Sequence, residues 1–251
     1  MTSNLPAPLV EMRDIFKSFG AVVALEGVHL QVYSGDVVGL VGDNGAGKST
    51  LMKILSGALT PDEGELLING ESVNFKSPRD ARTQGIEMVY QDLALCDDLD
   101  VASNFFLGRE PGSFGFLKLN LMHNKAREEL NNLGIRIQST DIPIRSISGG
   151  QRQAVAIGRA FSFNPQVLIL DEPTAALGVH EVEVVLHLIK EIRNKGVGVI
   201  LISHRLQDIM DVCDRVIVLY EGRNESDLNV KEISIEDLVA HIVGRKMQNH
   251  S

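Results

Sequence analysis

Apolar residues fall into two regimes along the chain. Over residues 9–41 they form short β-rich pieces, Leu9–Phe16, Val22–Leu25, Val28–Val32 and Asp36–Val41. Glu65-Leu66-Leu67-Ile68 and Glu71-Ser72-Val73 then flank Asn69-Gly70, a pair that tolerates positive φ and predicts a two-residue hairpin. This front part predicts an antiparallel sheet wrapped around the strand that ends at Val41. Ser77-Pro78 predicts a capped helix over Arg79–Gln84, and Ile86–Tyr90 returns as a strand. Between residues 92 and 162 the strand signals fade. Helical spacing is found at Val101–Leu107, Leu121–Leu133 and Gln151–Phe161, with a Gly/Phe-rich loop at Gly108–Phe116. This segment reads as a helical insertion. Alternation follows: strand Val167–Leu170, helix His180–Lys195, strand Val197–Ile202, helix Leu206–Val212, strand Arg215–Tyr220, and a last short helix at Ile235–Val243. Alternating strands and helices predict a parallel sheet.

Composition narrows the picture without redirecting it. The 251 residues are 44% hydrophobic and 23% charged, ordinary for a globular chain. A chain of this size buries about 70–75% of its unfolded surface, so no staple is required. The formal net charge of −9 disfavours general affinity for nucleic acid or for an anionic membrane face. Cys96 and Cys213 lack metal-ligand spacing and read as free thiols of a reducing compartment. Met1–Pro6 carries no secretory pattern, and no apolar run approaches the ~20 residues of a membrane span. Any membrane role is expected to come through a partner.

The most specific chemistry lies at residues 42–50, Gly-Asp-Asn-Gly-Ala-Gly-Lys-Ser-Thr. Gly42, Gly47, Lys48 and Ser49 fill a complete G-x-x-x-x-G-K-[ST] phosphate-binding loop, set between an apolar strand and the helix begun by Thr50. In that setting backbone N–H groups, those of Asn44 and Gly45 included, approach an anion at a helix N-terminus. Lys48 is expected to reach the β- and γ-phosphates of ATP, and the Ser49 hydroxyl to bind Mg²⁺. Val167–Leu170 ends in Asp171-Glu172. At the carboxyl end of a parallel strand, Asp171 is expected to support Mg²⁺ and Glu172 to accept a proton from attacking water. Ser148-Gly149-Gly150-Gln151 opens a helix and is a second anion site by geometry. Gln91 and His204 each follow a strand.

Together these residues resemble the nucleotide-binding subunits of ABC transporters over about 230 residues, in order: P-loop, glutamine loop at Gln91, signature at Ser148–Gln151, acidic strand end at Asp171-Glu172 and histidine switch at His204. The signature separates this family from other P-loop ATPases. The resemblance implies an α/β fold with a RecA-like parallel-sheet P-loop core, an N-terminal antiparallel β subdomain and a helical subdomain at 92–162, all within one ATPase domain at 1–251. It implies that Phe19 stacks on adenine, with Phe16 a competing candidate, and that Gln91 also contacts Mg²⁺. Glu87–Leu95, Phe105–Glu110 and Glu172–Gly178 carry a closer likeness to single-cassette ATPases of monosaccharide importers of the ribose, xylose and fructose group. With about 30 residues after Tyr220, no maltose-type regulatory domain is expected. Gly178 departs from the family pattern, where an aspartate is usual.

The resemblance implies a head-to-tail, ATP-dependent homodimer in which ATP lies between Lys48 of one subunit and Ser148 and Gly150 of the other. It also implies transmembrane permease subunits as partners, indirectly a periplasmic sugar-binding protein, and a peripheral place on the cytoplasmic face of the inner membrane. Adjacent Phe105 and Phe106 cannot both face inward on one helix; one is expected to line a groove for a permease helix. The rival readings are a soluble ABC-type ATPase acting on DNA or ribosomes and a nucleotide sensor without turnover. No coiled-coil, zinc or basic-arm insertion supports the first, and intact Glu172 and His204 argue against the second.

Overall fold

The computed structural model describes residues 7–113 and 116–243. Met1–Pro6, read above for a targeting signal, and two residues of the Gly108–Phe116 loop lie outside them. Two sheets form the framework. The first, in the order β2-β1-β4-β5, is antiparallel and consists of β1 (Val10–Phe19), β2 (Val22–Val32), β4 (Glu63–Ile68) and β5 (Glu71–Val73). Val22–Leu25 and Val28–Val32, expected as separate pieces, are one strand. Gly27 sits at positive φ against the Phe16 ring and lets the strand kink without breaking. The expected hairpin joins β4 to β5 through Asn69-Gly70, both at positive φ.

The second sheet holds β3 (Val37–Val41), β6 (Ile86–Val89), β9 (Val167–Asp171), β10 (Gly198–Ile202), β11 (Arg215–Tyr220) and β12 (Arg223–Asn229), in the order β12-β11-β3-β10-β9-β6. Every pairing is parallel except that of β12 with β11. β12 has no counterpart in the sequence reading. Its polar run, RNESDLN, is that of an edge strand with little side-chain burial.

The helices are α1 (Lys48–Leu55), α2 (Pro78–Thr83), α3 (Val101–Phe106), α4 (Leu119–Asn132), α5 (Gly149–Phe161), α6 (Val179–Asn194), α7 (Leu206–Val212) and α8 (Ile235–Ile242). Two-residue strands β7 (Gly112–Ser113) and β8 (Phe116–Leu117) pair within the Gly/Phe-rich loop. α2 starts on the expected Ser77-Pro78 signal, with a capping box to Asp80.

The parallel sheet divides the core in two by the period of its strands. Val37, Leu168, Leu170, Val199, Leu201, Val216 and Val218 point toward α3–α7. Val38, Leu40, Val167, Ile169, Ile200, Ile202, Ile217 and Leu219 point toward α1 and the antiparallel sheet. Because both faces are covered, these strands read as continuous apolar runs. Phe105 is fully buried, and Phe106 is half-buried, edge-on to it at 5.4 Å between ring centres. The two neighbours therefore do not share one environment: Phe105 is core, and Phe106 packs on its edge with part of its ring still exposed. The exposed apolar side chains nearby are Tyr90, Leu99 and Leu107.

Candidate functional site

Parallel strands running the same way deliver their carboxyl ends to one edge of the sheet. β3 hands Val41 to the P-loop, β6 leads to Gln91, β9 ends in Asp171-Glu172, and β10 leads to Ser203-His204. Residues as distant in the chain as Phe19 and His204 thereby line one cleft of about 400 Å³. Its walls include Phe19, Asn44, Gly45, Gly47, Lys48, Ser49, Thr50, Gln91, Asp171, Glu172 and His204.

The P-loop is closed around its own backbone. Gly47 stands at φ 104°, and a Cβ there would lie 2.7 Å from the Ala24 carbonyl oxygen and from Leu25 Cδ2. Only glycine permits that approach, which brings β2 to the start of α1. Gly42 is buried behind the cleft, and its carbonyl accepts a 2.6 Å bond from Lys48 Nζ; the Asp43 carbonyl accepts a second at 3.0 Å. Lys48 is buried, which pulls its pKa below the usual lysine value; Glu172, Asp43 and Asp171 oppose that shift. Ser49 is exposed to the cleft and Thr50 half-buried.

Facing Lys48 are the two acids. Burial raises the pKa of Asp171, and Lys48 and His204 counter only part of the rise. Burial likewise raises Glu172, opposed first by His204. Glu172 has φ 52°, the left-handed region that non-glycine residues seldom occupy. Its N–H donates to the Ile202 carbonyl at 3.0 Å, and its Oε2 accepts the His204 N–H at 3.3 Å. Oε1 lies 3.2 Å from His204 Nε2, an ion-pair distance. The alignment does not make a hydrogen bond, so this buried oxygen has no hydrogen-bond partner. Glu172 thus has Oε2 held by a backbone N–H and Oε1 beside the His204 ring.

A raised pKa on a buried carboxylate has a sign. The folded state holds the proton more tightly than the unfolded chain, so ionisation costs stability as pH rises through the raised value. Asp171→Asn is expected to raise the melting temperature of the nucleotide-free protein by about 1–3 °C at neutral pH and to flatten its fall with rising pH. Thermal melts from pH 4 to 8 check this; an unchanged or lower melting temperature at neutral pH contradicts it.

The loop that carries Gln91 is irregular but tied down. Arg159 donates to the Leu93 and Ala94 carbonyls, and the buried Asn104 side chain bonds Cys96 N–H and the carbonyls of Cys96, Leu99 and Asp100.

Ser148, Gly149, Gly150 and Gln151 are not in this cleft. Ser148 caps α5, accepting from Gln151 N–H at 3.2 Å, while the Gln151 side chain accepts from Ser148 N–H at 3.1 Å. With Ser148 exposed, the loop belongs to a different surface, bordered by α6 and the end of α4.

Of the two phenylalanine candidates, Phe19 is in the cleft wall, 48% exposed, with Lys17 Nζ 5.7 Å from its ring centre; Phe16 turns away onto Gly27. Val22, Val23 and Ala24 extend the same wall and were not singled out from sequence. Their signal was the apolar tip Phe19-Gly20-Ala21-Val22-Val23, too hydrophobic for an ordinary solvent-facing turn.

The sequence profile described as "ABC transporter" matches residues 25–175. The chain belongs to the ABC transporter ATPase family. This ABC cassette is 47% identical to the xylose/arabinose import ATP-binding protein XylG of Sulfolobus acidocaldarius, over 90% of this chain and 92% of that one. It is 44% identical to the fructose import ATP-binding protein FrcA of Rhizobium meliloti, over 95% of both. Its fold matches a dimeric post-hydrolysis structure of an ATP-binding cassette bound to ADP and Pi. There the TM-score is 0.73 and the identity 26%, over 88% of this chain and 98% of that one. The ABC cassette is thus a nucleotide-binding P-loop NTPase. Among the described residues no helix is long and apolar enough to cross a membrane.

Proposed function

We propose that this cassette hydrolyses ATP to drive uptake of a simple sugar through a partner permease. The observation that carries the ATPase reading is the convergence of four strand ends on one cleft holding Lys48, Asp171, Glu172, Gln91 and His204. Two relatives spanning nearly the same length and named as pentose and fructose import ATP-binding proteins support the sugar. They also favour import over a soluble ATPase acting elsewhere.

Each residue then has a role that follows from its place. Phe19 offers a flat apolar surface for the adenine ring. The P-loop N–H groups of Asn44, Gly45, Gly47 and Lys48 take the phosphates, with the Lys48 ammonium neutralising charge. Glu172 is the general base. The His204 N–H on Oε2 and the His204 ring 3.2 Å from Oε1 fix the carboxylate at the cleft, where it accepts a proton from water, and burial raises its pKa toward the working range. His204, exposed at the cleft rim, reports on the γ-phosphate. Asp171, Ser49 and Gln91 offer only oxygen ligands in one cleft. That set fits Mg²⁺ completed by phosphate oxygens and water; among the described residues no cluster of three His, Cys, Asp or Glu competes for a metal. When bound, Mg²⁺ supplies neutralisation of phosphate charge.

Ser148, Gly150 and Gln151 line a different surface and none of Ser148–Gln151 lines this cleft, which supports a head-to-tail dimer with ATP between two copies. In this reading residues 1–251 act as one ATPase domain, with 92–162 as the helical part that meets the permease beside Tyr90 and Leu107. The assembly sits on the cytoplasmic face of the membrane, fed by a periplasmic sugar-binding protein.

Ser148→Arg tests the dimer. It is expected to leave ATP binding by the monomer intact and to abolish ATP-dependent dimerisation and turnover, because a bulky cation blocks closure. Dimerisation with ATP equal to the native protein's would refute a role for this loop in trans. Co-purification of a permease from membranes tests the transporter assignment; recovery of the cassette with nucleic acid or ribosomes instead would favour the alternative.

A further inference from the structure

The Ser148–Gln151 loop already holds an anion of its own chain. Gly150 N–H donates to Oε1 of Glu181 at 2.9 Å, and Gly178 N–H donates to Oε2 at 3.2 Å. These two bonds, then one with the Ser148 side chain, keep the Glu181 carboxyl below the usual carboxylate range. The fit is tight. A Cβ on Gly150 would lie 2.8 Å from Glu181 Cβ and 3.0 Å from its Cγ, so the glycine admits the first turn of α6 against the first turn of α5. Gly178 has no side chain to accept an N–H of the first turn of α6, and Glu181, three residues on, supplies the other half of the cap by accepting the Gly178 N–H.

Placed there, Glu181 complements the positive end of α5. In the dimer reading, the same Gly150 N–H and Ser148 hydroxyl meet the γ-phosphate of ATP held by a second copy. One N–H cannot serve both anions fully, and two negative groups at that spacing repel. We propose that Glu181 is the resident counter-anion of the Ser148–Gln151 loop, displaced by the γ-phosphate when two cassettes close. It thereby sets the ATP concentration at which closure occurs. This inference rests on the trans role of Ser148 and Gly150.

The test is ATP-dependent dimerisation followed by light scattering in the slow-turnover Glu172→Gln background. With Glu181→Gln added, half-maximal ATP is expected to fall about two- to fivefold, the factor for one charge at a helix terminus. Glu183→Gln removes the same charge from α6 at a residue paired with His180, not with Gly150; it is expected to leave the value unchanged. Monomer ATP affinity should be equal in all three. An unchanged or raised ATP requirement in Glu181→Gln overturns the proposal, as does an equal fall in Glu183→Gln. Should the neutral variant lose its fold, Glu181→Asp carries the same expectation, because the shorter side chain withdraws from Gly150. Ser148→Arg in the same background separates the two layers. If it dimerises normally, the trans reading fails; if it does not, while Glu181→Gln behaves as the parent, only the role of Glu181 fails.

Discussion

Lys48→Ala is expected to weaken ATP binding by about 10²-fold or more, the loss of two charge-assisted hydrogen bonds at about 1.5–3 kcal/mol each. The side chain is buried, with its ammonium resting on the Gly42 and Asp43 carbonyls at 2.6 and 3.0 Å, poised beside the P-loop before any phosphate arrives. It is also the cation that faces Glu172 and Asp171 from the P-loop. Removing it leaves two carboxylates at the floor of the cleft, so an incoming triphosphate meets net repulsion as well as a missing donor. Titration of ATP with and without Mg²⁺ measures the effect, and a native dissociation constant would exclude Lys48 from phosphate binding. Circular dichroism separates this from unfolding, because deletion of a costly buried charge does not by itself destabilise the fold.

Glu172→Gln is expected to keep ATP binding and slow hydrolysis by roughly 10²–10⁴-fold, the range for loss of a general base. The amide keeps the shape and can still accept the His204 N–H, so the left-handed backbone at residue 172 and its anchor to Ile202 persist. What is lost is the proton-accepting oxygen. Hydrolysis no longer reverses closure, and an ATP-bound dimer should accumulate in size-exclusion chromatography. The pH dependence has a defined sign. Because burial raises the pKa of Glu172, the native rate should fall on acidification from a higher pH than an ordinary carboxylate would require, as the base becomes protonated. The Gln variant should lack that limb. Turnover at the native rate in the variant would reassign the base.

Much of the site was legible because its residues sit at positions where local sequence and local structure agree. The P-loop declares itself by an apolar strand, three glycines and a helix. Asp171-Glu172 and His204 declare themselves as polar residues directly after apolar strands. What could not be read locally is where Ser148–Gln151 faces. Its capping box is a local signal, but the surface it presents depends on the packing of α5 on α6. The same holds for Glu181, which in sequence is one more acid in a helix of mixed charge. Its contact with Gly150 spans 31 residues and has no periodic signature. Phe105 and Phe106 show how far the pattern reaches. The pattern rightly refuses two inward neighbours, but a half-buried edge-on partner is a third solution available only when the surrounding core is known.

The sequence by itself determined most element types, the P-loop motif, the acidic strand end and the family, since each depends on residues close together in the chain or on motifs in a set order. Tertiary structure alone decided the rest: that β10 lies between β3 and β9, that Phe19 rather than Phe16 reaches the cleft, that β12 forms one edge, and that Glu181 of α6 meets the N-terminus of α5. Those outcomes turn on strand order, on a kink at Gly27 and on the close approach that Gly150 allows. They are set by which distant surfaces fit together, a sum of packing over the whole chain that no local window contains.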